Sequence, residues 1–202
     1  MPARSARNPV PAPEADRAQL GLQLREHRKA RRLTLKDLSG HSGVALSTLS
    51  KMELGQISVS YEKLAAVARA LALDVGQLFD ARGGASVGAK APSVVWSSAD
   101  TAPAYNSGNY DYRMLATGFQ GKRMTPLYGR IVARKRDQFP DFIRHQGQEF
   151  VMVLAGRVAI HFETGETIEL GRHETAYFDS GVGHIYLSLG RGDGQVVVVM
   201  SE

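Results

Sequence analysis

The sequence predicts a two-domain chain: an N-terminal all-α bundle of five helices followed by an all-β barrel. Three observations carry that expectation. Over residues 19–79 apolar side chains recur at helical spacing. From about residue 94 onward apolar and polar residues alternate, Val, Tyr and Phe rise, and glycines return every ten or so positions, as in many short antiparallel strands. Between them, residues 82–92 read RGGASVGAKAP, small residues that suit a flexible linker. A chain of 202 residues, 43% hydrophobic and 22% charged, has the size for two small domains. The expected partition is a disordered Pro-, Ala- and Arg-rich leader over 1–17, a helical domain over 18–80, a linker over 81–93 and the β domain over 94–202.

Composition excludes several classes of chemistry. The chain has no cysteine, so disulfides, thiolate zinc sites, iron–sulfur clusters and a Cys nucleophile are ruled out. Its longest aliphatic run, 196–200, is far too short to span a bilayer, and the basic N-terminus has no apolar core of a secretory signal. A cytoplasmic location without membrane contact is expected. The formal net charge is +5. The excess sits in residues 19–73, where nine Lys and Arg face four acidic groups, while 81–202 is close to balanced. A concentrated positive field favours a polyanionic partner, although a solvated basic face would carry the same charge.

The helices follow in order. The first spans about 19–31. The second starts after Thr34, whose hydroxyl can cap the helix while Asp37, three residues on, completes a capping box. It ends near Ser42, where Gly43 supplies the tight turn. The third runs from Leu46 to about Leu54 and stops at Gly55. The fourth follows the cap residue Ser60, with Glu62 favourable in its first turn and Leu64, Val67, Ala68 and Leu71 on one apolar stripe. A short fifth helix is expected over 75–79. Two short helices joined at Gly43 make a helix-turn-helix, whose second member enters the major groove. Leu49 and Met52 should face inward, leaving Leu46, Ser47, Ser50 and Lys51 for base edges and phosphates.

The stretch 33–55, LTLKDLSGHSGVALSTLSKMELG, resembles the helix-turn-helix of the phage-repressor class, the XRE family. The Thr48-Leu49-Ser50 triplet followed by Glu53 and Gly55 carries the likeness, which covers about 19–79. The resemblance implies a lambda-repressor-like fold bound to double-stranded operator DNA. It places Leu46, Ser47 and Lys51 toward bases and Thr48 toward the DNA backbone, with Ser50, Thr34 and Lys36 completing the DNA-facing set. It also implies a buried ion pair between Arg28 and Glu53, a structural role for both. Ala45 stands where the third helix usually has a hydroxyl cap, Leu46 replaces a more common polar reader and could touch a thymine methyl, and Leu35 replaces a phosphate-contacting polar residue.

In the β domain, 142–156 reads FIRHQGQEFVMVLAG and 171–184 reads GRHETAYFDSGVGH. These segments resemble the two signature motifs of the cupin superfamily, a double-stranded β-helix or jelly-roll barrel. The pattern Glu-Phe-x-x-Val-Leu-x-Gly at 149–156 is the most specific part, and His173 sits where the family prefers glycine. The resemblance implies a divalent-metal site (zinc, iron or nickel) with His145, Glu149 and His184 as ligands, and Ile143 where a further histidine is usual. The three can hold a metal as a facial triad or line a metal-free pocket, and both readings stay open. His161 and His173 are read as surface or strand residues.

A pocket is expected inside such a barrel. Arg130 and Arg134 share a strand face with Tyr128 and Val132. Facing inward they would select a carboxylate or phosphate; on the opposite parity they are solvated charges. Tyr112, Arg113 and Tyr177 are candidates on the same terms.

The two domains together are similar to a one-component transcriptional regulator of the XRE–cupin type. That reading implies a non-enzyme whose barrel binds a small-molecule effector, anionic if the arginines face it, and which acts as a homodimer. Coupling between effector and DNA is expected to run through dimer geometry, since a glycine-rich linker is a poor lever. The alternative is a metal-dependent cupin enzyme, a dioxygenase or isomerase, that carries a helix-turn-helix. A third reading makes the helical domain a protein-docking module.

Overall fold

Helix α1, Glu14–Ala30, buries Leu24 and brings Gly21 against the end of a third helix. A Cβ at Gly21 would lie 2.5 Å from the Met52 carbonyl oxygen, so the two backbones approach to a distance that only glycine permits. The computed structural model describes residues 14–79 and 92–201. Residues 1–13 of the leader expected over 1–17 and residues 81–91 of the linker expected over 81–93 lie outside the described residues. α1 begins at Glu14 rather than near residue 19, so residues 14–17, expected as part of a disordered leader, are helical.

Helix α2, Leu35–Ser42, carries the expected capping box: the Asp37 amide donates to the Thr34 hydroxyl, and the Thr34 amide donates to the Asp37 carboxylate. Gly43 ends it in the left-handed region at φ 70°, where a side chain would be strained. Helix α3, Leu46–Glu53, starts at Ala45 without a side-chain cap. Helix α4, Tyr61–Ala70, follows Ser60, whose side chain makes no cap bond. The fifth element is a 3₁₀ turn, Val75–Phe79. Leu38, Leu49, Leu64, Val67, Ala68, Leu71 and Leu78 close the core of this bundle.

Among the described residues nine strands make the second domain: β1 Ala104–Asn106, β2 Tyr110–Met114, β3 Met124–Ile131, β4 Gln148–Ala155, β5 Arg157–Phe162, β6 Thr167–Leu170, β7 Thr175–Asp179, β8 His184–Leu189 and β9 Gly194–Ser201. A six-stranded sheet has the order β1-β2-β3-β9-β4-β7, and a three-stranded sheet has the order β6-β5-β8. All pairings are antiparallel. Period-two burial sets the faces: Leu127 and Ile131 of β3, Val151 and Val153 of β4, and Val196, Val198 and Met200 of β9 point inward. An isolated bridge between Ile143 and His184 joins the segment before β4 to β8, bringing the two halves of the site together. His173, expected where glycine is preferred, takes φ 68°, which explains that preference. Among the described residues no helix is long and apolar enough to cross a membrane.

Candidate functional site

Two sites face different chemistry. On the helical domain, α3 is held by the Arg28–Glu53 pair. The Arg28 guanidinium donates from Nε to Glu53 Oε1 at 2.5 Å and from Nη2 to Oε2 at 2.8 Å, and its Nη1 reaches the Leu33 carbonyl at 2.7 Å. Both side chains are nearly buried, so this bidentate clamp sets the orientation of α3 on α1. Leu49 and Met52 are buried, while Leu46, Ser47 and Lys51 are exposed and Thr48 and Ser50 half-buried. Lys36 is exposed on α2. Thr34 is exposed too, but its hydroxyl is engaged with Asp37 in the helix cap, which holds the Asp37 carboxyl below the usual range.

In the barrel, β4 and β8 present Glu149, His184 and Tyr186 on their inward face, and the loop before β4 brings in His145. One ligand atom from each of His145, Glu149 and His184 lies within 4.8 Å of the other two. His145 Nε2 is 2.9 Å from Glu149 Oε2, and His184 Nε2 is 3.6 Å from the same oxygen. His184 Nδ1 donates to the Val182 carbonyl at 2.9 Å, a bond that turns Nε2 toward the cluster. The Tyr186 hydroxyl donates to Glu149 Oε1. Burial alone would raise the Glu149 carboxyl, but hydrogen bonds and charge from His145 and His184 hold it down to about 2. Burial acts to lower His184, and its bond to Glu149 outweighs this and raises it. Two imidazole nitrogens and a carboxylate oxygen converging at this spacing, with Nδ1 of His184 anchored to backbone, fit a divalent cation.

The cavity around the cluster is about 20 Å³, the room of one water-sized occupant. Tyr110, Tyr112 and Tyr186 line the same cavity. Tyr112 therefore stands where a pocket residue was expected. Arg130, Arg134 and Tyr177 do not. In β3 the buried parity belongs to Thr125, Leu127, Gly129 and Ile131, so Tyr128 and Arg130 point outward. Arg130 is tied to Asp111 and Asp193, and Arg134 to Asp193 and the Gly190 carbonyl. Tyr177 is 66% exposed and donates to Gln148. No arginine lines the cavity among the described residues, so the argument for an anionic effector there falls. His161 lies in β5, bonded to Thr167, and His173 is exposed.

Sequence reasoning missed Tyr110, Tyr186, Tyr61 and Glu62, all of which line the cavity. The first two had a signal, the period-two alternation with Tyr112 and His184. The other two come from α4 of the helical domain, and only the packing of one domain on the other reveals them. Beside them opens a cleft of about 740 Å³ between the helical domain and residues 138–144, with Thr48, Tyr61, Glu62, Tyr110 and Phe142 among its walls.

Residues 19–81 match the family model described as a helix-turn-helix domain, and residues 131–200 match that of a cupin domain. No curated protein sequence matches the chain. Among solved structures it is similar to an HTH_3 family transcriptional regulator from Vibrio cholerae, at 18% identity and TM-score 0.61, covering 94% of this chain and 98% of that one. It is also similar to hydroxypropylphosphonic acid epoxidase from S. wedmorenis, at 19% identity and TM-score 0.47, covering 91% and 97%. The complex of that epoxidase with fosfomycin gives 19% identity, TM-score 0.48 and coverage of 91% and 98%. The first of these likenesses establishes a common fold over nearly the whole of both chains.

Proposed function

The chain is an XRE-like helix-turn-helix domain followed by a cupin domain, and from that premise we propose a cytoplasmic one-component transcriptional regulator, acting as a homodimer rather than as an enzyme. The observation that carries the reading is α3: apolar Leu49 and Met52 buried, with Leu46, Ser47 and Lys51 presented to solvent on a helix clamped by Arg28 and Glu53. A short rod with a hydroxyl and an ammonium on its outer face suits base acceptors and phosphate oxygens. Dimer symmetry would set the half-site spacing.

The cupin domain is the sensing part. His145, Glu149 and His184 would hold a divalent cation of the zinc, iron or nickel type, and such an ion supplies a Lewis-acid centre with open positions. His145 and His184 would each offer a ring nitrogen and Glu149 a negative charge, and Tyr186 keeps the carboxylate oriented through Oε1. The inner cavity has no room for a metabolite. A metabolite-sized effector fits the adjoining cleft, whose two walls come from different domains. A ligand there shifts DNA affinity only if it favours one domain arrangement over another.

Selection from a random duplex pool, followed by binding at several salt concentrations, tests the regulator reading. Enrichment of a two-fold related sequence bound with a steep salt dependence supports it; no enrichment rejects it. The open positions of a triad keep one alternative, a metal-dependent enzyme, and multiple turnovers by the iron-loaded chain would favour it.

A further inference from the structure

The start of α4 reaches the barrel. Before it, the Val59 amide donates to the Tyr105 hydroxyl at 2.9 Å, and that hydroxyl donates back to the Val59 carbonyl. Two residues on, the Tyr61 ring stands edge-on to His145 and Tyr112, at centroid distances of 6.5 and 6.2 Å. The far end of the helical domain is held by Asp74 and Lys122 at 3.2 Å and by Phe79 against Tyr105. The helical domain thus closes the barrel mouth, and Tyr61 and Glu62 wall in the same small cavity as His145, Glu149 and His184.

Glu62 brings chemistry to that cavity which the metal reading does not yet use. Burial pushes its carboxyl up, while the Ser60 hydroxyl, its own amide and the charge of His145 and His184 favour the ionised form. Glu62 and Glu149 line one nearly closed space, and a divalent cation there would balance both carboxylates. Ile143, at the position of a further histidine in the resemblance, lines the cavity and offers no donor, so among the described residues the barrel supplies three ligands. We propose that Glu62 is the fourth protein group of the ion site, a carboxylate of the helical domain that faces the ion across the cavity, so that ion loading fastens this domain to the barrel mouth. The inference rests on the metal reading of the triad. Glu62 falls outside the group of atoms lying within 4.8 Å of one another, so it acts on the ion from beyond the three ligands. It is a positioning residue, and the metal state of the barrel then bears directly on the DNA-reading domain.

A glutamate in the first turn of a helix also stabilises that helix through its dipole, so the test needs a readout that this role would not move. The full chain is stripped with chelator and titrated with Co²⁺, following affinity by chelator competition and amide exchange over residues 59–66. In the wild type, Co²⁺ binds and slows exchange in that segment. Glu62→Gln weakens Co²⁺ affinity by about 10- to 100-fold and abolishes the slowing, and Glu62→Asp recovers part of both. The proposal is overturned if Glu62→Gln binds Co²⁺ as tightly as wild type and shows the same slowing. A faster metal-free exchange with an unchanged Co²⁺ response overturns it too, leaving Glu62 a helix-stabilising residue. If the wild type binds no Co²⁺, or His145→Ala binds as well as wild type, the triad reading itself fails and takes the proposal with it. Should Glu62→Gln not fold, Glu62→Asp carries the comparison.

Discussion

Replacing Arg28 by methionine removes a charge from one of the most constrained places in the helical domain. Three hydrogen bonds go at once, two to Glu53 and one to the Leu33 carbonyl, and the Glu53 carboxylate stays behind with its side chain only 6% exposed. Stranding one partner of a buried pair costs about 3–5 kcal/mol. A domain of this length has a total stability of about 3–10 kcal/mol. Arg28→Met should therefore bring the helical domain close to unfolding at room temperature while the barrel stays folded. Circular dichroism at 222 nm, dominated by the helices, would follow the loss during urea titration. The double variant Arg28→Met, Glu53→Leu should recover most of it, because no uncompensated charge remains. A cost below about 1 kcal/mol for the single variant, the range of an exposed pair, would refute the claim that this pair clamps α3.

Four further outcomes follow from the geometry. Gly21→Ala places a methyl 2.5 Å from the Met52 carbonyl oxygen, in rigid backbone, and should destabilise the helical domain by about 1–3 kcal/mol in the same assay; a neutral result would contradict the close α1–α3 approach. Lys51→Ala should weaken DNA binding across all sequences and reduce the salt slope by about 1, as for the loss of one phosphate contact, whereas an unchanged slope would move Lys51 off the DNA. In metal-free protein, Glu149 is depressed to about 2, so its contribution to stability is complete above the unfolded value of about 4.3 and is lost as pH falls through 2. His184 is raised, so its contribution is complete below about 6.5 and is lost as pH rises through that raised value. With His145, Glu149, Tyr186 and Glu62 around it, His184 should make chelator-treated barrel most stable between about pH 4.5 and 6.5, and the alkaline decline in melting temperature should flatten in His184→Gln; equal pH profiles would argue against the pair. Finally, Zn²⁺ affinity should rise with pH, because metal binding displaces the proton that the raised His184 holds, and His145→Ala should reduce it sharply; a pH-independent affinity would place the ion elsewhere.

How much of this was legible depended on the range of the interaction. The capping box at Thr34 and Asp37 and the stop at Gly43 are signals within four residues of chain, and they stand in the structure where the sequence put them. α1 starts upstream of the position the sequence predicts, because the proline, alanine and arginine around its start carry the composition of a leader. His145, Glu149 and His184 could be picked from motif spacing, since strand parity and the two motifs agree. Arg130 could not be oriented, because its parity depends on which face of β3 meets β9 and the core. Tyr61 and Glu62 were out of reach altogether: a residue on a helix of one domain enters the cavity of another only through packing across a linker, which no local pattern encodes.

The most direct test of the account is protection of a selected duplex from hydroxyl radicals by the full chain and by its Ser47→Ala, Lys51→Ala variant. The account predicts two protected patches one helical turn apart, or a multiple of it, on the wild type, and their loss from a variant that still folds and still binds Co²⁺ in the barrel. Undiminished protection by the variant, or protection spread evenly along the duplex, would mean that α3 does not read DNA.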